Sequence, residues 1–129
     1  MGAREARPAR TYVGPPRRGE VYLVAFDPTM GAEIRKTRPA VVVQNDIGNR
    51  AASTTIVAAV SSLGEERLYP FEVVVRPPDG GVTKASTVLL NQIRTVDRRR
   101  LIRRLGKLGS ETMRRVDRAL AISAGLVEI

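Results

Sequence analysis

The chain has 129 residues, 43% of them hydrophobic and 27% charged, which fits one globular domain with a core of useful size. Aromatic residues make up only 4%, so the core has to be aliphatic. Cysteine and histidine are both absent, which removes disulfides, thiolate nucleophiles, histidine acid–base pairs and every nitrogen or sulfur metal site.

The formal net charge of +9 points to an anionic partner. Residues 1–18 hold five basic residues and one acidic, and residues 97–118 nine basic and three acidic, so the middle of the chain is close to neutral. No apolar run approaches the roughly 18 residues of a membrane span, and the first residues lack the apolar stretch of a secretory signal.

In chain order, residues 1–17 read as a flexible basic arm and residues 18–129 as the folded domain. Residues 20–26 are β-prone and predict a first strand, followed by a polar loop over 27–37 with Pro28 and Gly31. Residues 39–45 predict a second strand whose unbroken apolar centre implies burial on both faces. A turn follows at 46–50. A third strand runs over 54–60 and ends in Ser61-Ser62. Residues 70–75 predict a fourth strand, ahead of the loop Pro77-Pro78-Asp79-Gly80-Gly81. Residues 86–91 predict a fifth, with Thr95-Val96 as its candidate continuation.

Beyond Asp97 the pattern reads as helical: a short arginine-rich helix over 98–105, then a last helix capped by Ser110. Its Met113, Val116 and Leu120 recur at three- and four-residue spacing. Several short strands and a terminal helix make a mainly β, α+β domain, a small open barrel with helical appendages.

The polar tools left for chemistry are Arg, Lys, Ser, Thr and scattered carboxylates. There is no GxxxxGK[ST] or GxGxxG phosphate loop. Such groups suit stabilisation of charge on a phosphate better than activation of a poor nucleophile. RNA brings its own nucleophile, the 2′-OH beside each phosphate, and its cleavage needs in-line geometry, charge stabilisation and proton transfer.

The densest cluster of these tools lies over 27–39. Here the sequence resembles the MazF/PemK toxin family. The signature elements are Arg18-Gly19-Glu20, Asp27-Pro28, Gly31, Glu33 and Arg38-Pro39. Similarity continues through residues 44–50, 56–61 and 91–97 and covers about 17–129; Bacillus-type members are the most similar.

The resemblance implies an SH3-like open barrel of the plasmid-maintenance toxin type with a C-terminal helix, a homodimer, and a cytoplasmic setting. It also implies metal- and cofactor-independent cleavage of single-stranded mRNA to 2′,3′-cyclic phosphate and 5′-hydroxyl ends. It implies as partner a MazE-like antitoxin with an acidic tail. Arg38 matches the family arginine that stabilises the transition state, and a guanidinium's fork of donors suits that task. Ser61 stands where Bacillus-type members have a catalytic threonine, and Glu33 matches a family glutamate that acts as base or fixes Arg38. Arg35, Lys36, Thr37, Asn91, Gln92 and Arg94 are the implied RNA contacts. At the positions of the histidine and arginine–aspartate pair of Kid-type relatives stand Ala32, Leu89 and Asn91, so that version of the mechanism is not available.

Plainer readings compete. Arg38 also fits a simple ion pair with Glu33, Ser61 a strand-terminal turn, and Gln92 and Arg94 ordinary sheet-edge polar residues. Thr95 and Asp97 fit local caps, and the arginine run a solvated helix face. Two other functions remain in play, a non-catalytic nucleic-acid-binding barrel and a CcdB-like gyrase poison. Against the latter, no tryptophan stands near the C-terminus.

Overall fold

The computed structural model describes residues 14–26, 37–62 and 69–129. Six strands form one antiparallel sheet: β1 (Glu20–Ala25), β2 (Thr37–Val42), β3 (Thr54–Ser61), β4 (Glu72–Val75), β5 (Ser86–Asp97) and β6 (Leu101–Lys107). Their order across the sheet is β4-β5-β3-β2-β1-β6. The sheet is open, with β4 and β6 at its edges. Two helices, α1 (Asp46–Ala51) and α2 (Ser110–Ser123), complete the architecture.

Alternation along the strands builds two aliphatic cores, one on each face. Val21, Val41, Ala58, Val88 and Leu90 join the first, which α2 covers with Val116 and Ala119. Tyr22, Val24, Ala40, Val42 and Val57 join the second, together with Val96 and Leu101. In β2, Ala40 and Val42 face one core and Val41 the other, so the unbroken apolar run is indeed buried on both sides. The fifth strand does continue through Thr95-Val96, with one irregularity where it passes Ala58 and Ala59 of β3.

The segment expected as an arginine-rich helix over 98–105 is instead a 3-10 turn (Arg98–Arg100) followed by β6. It pairs with the free edge of β1, and its register slips twice, around Tyr22–Leu23. Each slip places an extra residue opposite β1, which breaks the two-residue period a strand would display in sequence.

The turn expected at 46–50 is the helix α1. Asn45 caps it by accepting from Gly48 N at 2.7 Å. Behind it Asn49 is fully buried and fully bonded. Its amide donates to Gln44 O (3.0 Å) and Asp46 Oδ1 (3.2 Å), and its carbonyl accepts from Gln44 Nε2 (2.9 Å) and Thr55 Oγ1 (2.6 Å).

Ser110 opens α2 but does not cap it. Gly109 occupies the cap position, and Asp79, thirty residues away in sequence, supplies the acceptor. Its Oδ1 accepts from Gly109 N (2.8 Å) and its Oδ2 from Thr112 Oγ1 (2.5 Å). The loop after β4 is thereby tied to the helix N-terminus.

The Arg18-Gly19-Glu20 element is a clamp. Arg18 donates through Nε to Val43 O (2.8 Å) and through Nη1 to Asp117 Oδ1 (2.8 Å), and its backbone N–H donates to Asp46 Oδ1 (2.7 Å). The buried Glu20 carboxylate accepts from Arg17 N, Tyr22 OH and Arg104 Nε at 2.8, 3.1 and 2.9 Å.

Candidate active site

Arg38 sits near the start of β2 and Ser61 at the end of β3. These neighbouring strands run antiparallel with Ala40 opposite Ala59. The same register carried two residues further sets Arg38 across from Ser61, although they are far apart in sequence. Both line a cleft of about 810 Å³ at this end of the sheet.

Among the described residues its lining includes three cations, Arg38, Lys84 and Arg103, and no carboxylate. The hydroxyls of Thr37, Ser61, Ser62, Thr83 and Ser86 and the amide of Gln92 complete its described polar lining. Leu23, Val60 and Leu105 give it an apolar floor, which lowers the local dielectric and strengthens the field of the cations. Such a site favours a polyanion with hydrogen-bonding groups.

One wall depends on a close backbone approach. The 3-10 turn Asp79–Gly81 packs against β6 with no room for a side chain on either surface. A Cβ on Gly106 would lie 2.6 Å from the Gly80 carbonyl carbon, and one on Gly81, whose φ is +79°, would strike the Leu105 carbonyl oxygen. This contact, with the Asp79 bonds to α2, fixes the stretch leading to Lys84. Ser86 Oγ then donates to Lys84 O at 2.8 Å.

The cleft collects Arg38, Ser61, Thr37 and Gln92 from the residues expected to form the site. Asn91 and Arg94 are exposed on β5 but lie outside the cleft lining; the Arg94 guanidinium sits 5.1 Å from the centre of the Phe26 ring. Glu33, Arg35 and Lys36 fall outside the described residues, as does an Arg38–Glu33 pair. Among the described residues the Arg38 guanidinium has no carboxylate partner, and no group of three carboxylates gathers as a metal site would require.

Sequence reasoning missed Lys84 and Arg103. Lys84 stands alone in a loop, with only its place after Gly80-Gly81 as a signal. Arg103 was hidden in a run of like residues. The solvated-helix reading of that run fails, because most of its members have defined roles. Arg98 Nη1 donates to Ala52 O (3.0 Å) and Arg100 Nη1 to Ala25 O (3.2 Å). Arg104 bonds Glu20, and Arg99 bonds Asp97 through both Nε and Nη2. Asp97 is the local cap that was expected, accepting from Arg99 N at 2.8 Å. The Arg99 hydrogen bonds hold its carboxyl well below the usual carboxylate range, at about 2.

Endoribonuclease EndoA of Bacillus subtilis is 40% identical over 112 residues, spanning 87% of this chain and 97% of that protein. An endoribonuclease solved in complex with its cognate antitoxin, from a mycobacterial species, superposes with a TM-score of 0.72 at 26% identity, covering 88% of this chain and 99% of that one. A MazE–MazF complex from Deinococcus radiodurans gives a TM-score of 0.70 at 27% identity, covering 87% of this chain and 97% of that one. The model of the PemK-like, MazF-like toxins of type II toxin–antitoxin systems matches residues 17–124, and the chain belongs to that family.

Proposed function

We propose that the chain is a sequence-specific endoribonuclease toxin that cleaves single-stranded mRNA at the cleft holding Arg38 and Ser61. The observation that carries this reading is the meeting of Arg38 and Ser61 in a cleft whose described lining has three cations and no carboxylate.

The 2′-OH attacks the neighbouring phosphorus, the bond from phosphorus to the 5′-oxygen breaks, and the products are a 2′,3′-cyclic phosphate and a 5′-hydroxyl. Arg38 stabilises the extra negative charge on the phosphoryl oxygens, a task for which a fixed cation in a partly apolar cleft is well placed. Ser61 Oγ orients the phosphate or the attacking hydroxyl. The proton leaving the 2′-OH goes to a base, for which Glu33 is the candidate, and the departing 5′-oxygen takes one up. Thr37 and Gln92 contact the RNA within the cleft. Asn91 and Arg94, with Arg35 and Lys36, extend the contact along the strand. No step calls for a metal or cofactor.

The partner is an acidic antitoxin tail that competes with RNA for the cationic cleft, in the cytoplasm where mRNA and antitoxin meet. The active unit is a homodimer. Ile93 of β5 is an exposed large hydrophobic and offers an apolar contact for a second copy. The basic arm over 1–17 adds long-range attraction for RNA, screened by salt.

The test is digestion of a long mixed-sequence RNA in EDTA, with 5′ ends mapped. Discrete 5′-hydroxyl ends are expected, and Arg38→Ala should lower the rate at least about a hundredfold while remaining folded. Intact RNA from the wild type would favour the non-catalytic binding barrel, and a fully active, folded Arg38→Ala would remove Arg38 from the mechanism.

A further inference from the structure

The five arginines between residues 98 and 104 divide four to one. Arg98, Arg99, Arg100 and Arg104 each bond a carbonyl or carboxylate of the protein. Arg103 is exposed and, among the described residues, has no hydrogen bond or ion pair. It is also the member of the run that lines the cleft. Lys84 shares these properties: exposed, lining the same cleft, and with no acceptor for its ammonium among the described residues. Both leave the same packing contact, since Gly81 abuts Leu105.

The register measures how far this wall stands from Arg38. Leu23 of β1 lies opposite Pro39 on one side and opposite Arg103 on the other. Two inter-strand spacings, roughly 9.6 Å, therefore separate the backbones of Arg103 and Pro39, the neighbour of Arg38. The cations are not crowded onto one point but distributed along the cleft.

From this we infer that Arg103 and Lys84 form a second phosphate-holding wall, gripping the RNA backbone beside the scissile phosphate while Arg38 serves that phosphate itself. The assignment rests on the ribonuclease reading for its substrate, but its geometry is independent of which residue is the base. A cation that holds a flanking phosphate acts equally on ground state and transition state, so its loss raises KM and leaves kcat nearly unchanged. It also removes one counterion-releasing contact. For a single strand this flattens the dependence of log affinity on log salt by about 0.7.

Arg103→Gln, Lys84→Gln and the double variant are compared with Arg99→Gln, which deletes a charge outside the cleft. Steady-state cleavage of a defined RNA is measured beside binding of a fluorescein-labelled, fully 2′-O-methylated strand of the same sequence, between about 50 and 200 mM salt. Each cleft variant should raise KM and Kd roughly three- to tenfold, the range for losing one ordinary hydrogen bond, since solvent at an open site screens the added charge. The salt slope should fall by about 0.7 per cleft charge removed and keep its wild-type value in Arg99→Gln. Arg103→Lys should recover most of the slope.

Wild-type Kd and slope in Arg103→Gln and Lys84→Gln would overturn the inference even if the wild type cleaves RNA. A fall in kcat as large as that of Arg38→Ala would overturn it too, by placing Arg103 on the scissile phosphate. Should the wild type leave RNA uncut, the ribonuclease reading fails, yet the binding arm still decides whether these two side chains hold phosphates.

Discussion

Substituting Gly106 by alanine tests whether the wall of the cleft depends on the backbone contact between β6 and the 3-10 turn. The added Cβ would meet three backbone atoms of Gly80 and Gly81 at 2.6, 2.7 and 2.8 Å, where ordinary contact begins at 3.4 Å. The nearest atom must retreat by the difference, 0.8 Å. The turn has little freedom to do so, because Asp79 is bonded to Gly109 and Thr112 of the helix behind it. Overpacking of this kind costs about 1–3 kcal/mol, and the lower unfolded-state entropy of alanine returns about 0.4–1 kcal/mol. The net loss of about 1–2 kcal/mol should lower Tm by roughly 4–8 °C in a domain of this size. Urea titration should show a lower midpoint with an unchanged m value. Gly109→Ala is the control, since its Cβ would meet only Asp79 Oδ1 at 3.7 Å, and it should lose less than about 1 kcal/mol. Equal stability of Gly106→Ala and wild type, or a larger loss in Gly109→Ala, would refute the packing argument.

Two further outcomes concern the frame. Asn49→Ala removes the partner of the Gln44 amide and the Thr55 hydroxyl together and should cost about 2–3 kcal/mol in urea unfolding, more than any single hydrogen bond there would suggest. The Asp97 carboxyl titrates lower in the folded chain, at about 2, than the ordinary value of about 4. Its stabilisation is therefore present above pH ~4 and lost as pH falls through about 2. The stability gap between wild type and Asp97→Asn should accordingly close over that interval, and a gap independent of pH would show that the charge of Asp97 is irrelevant.

What the sequence made legible follows the strength of each local signal. Strands β1 to β5 announced themselves through runs of β-branched and other apolar residues bounded by turn-forming ones. Arg38 and Ser61 were legible as site residues only through the family signature; nothing local to Val60-Ser61 distinguishes it from a strand end. Strand β6 was illegible because two slips in register erase its period and five arginines in seven residues imitate an exposed helix face. The helix α1 was read as a turn because six residues with a central glycine carry too short a periodic pattern, and only the Asn45 side chain reveals the cap. The acceptor for the start of α2 could not be read locally at all, since Asp79 comes from thirty residues upstream. Lys84 and Arg103 share that difficulty. Each belongs to the cleft because glycines let two backbones touch, and such a contact leaves no mark on the composition of either segment.

With no histidine in the chain, the proposed site cannot draw on a side chain whose ordinary pKa lies near neutrality. Here the proposed chemistry rests on permanently charged guanidinium and ammonium groups, whose effect depends on distance and on not having to reorganise as charge develops. Net charge alone would assign the whole 98–104 run to RNA. The hydrogen bonds instead commit four of those arginines to carbonyls and carboxylates of the protein. By the same logic Glu20 and Asp46 engage Arg104 and the Arg18 backbone, and among the described residues no carboxylate lines the cleft. The acidic residues are thus as informative as the basic ones. They neutralise cations where the structure needs fixed contacts, and among the described residues they leave Arg38, Lys84 and Arg103 without anionic neighbours, where a phosphate backbone is proposed to bind.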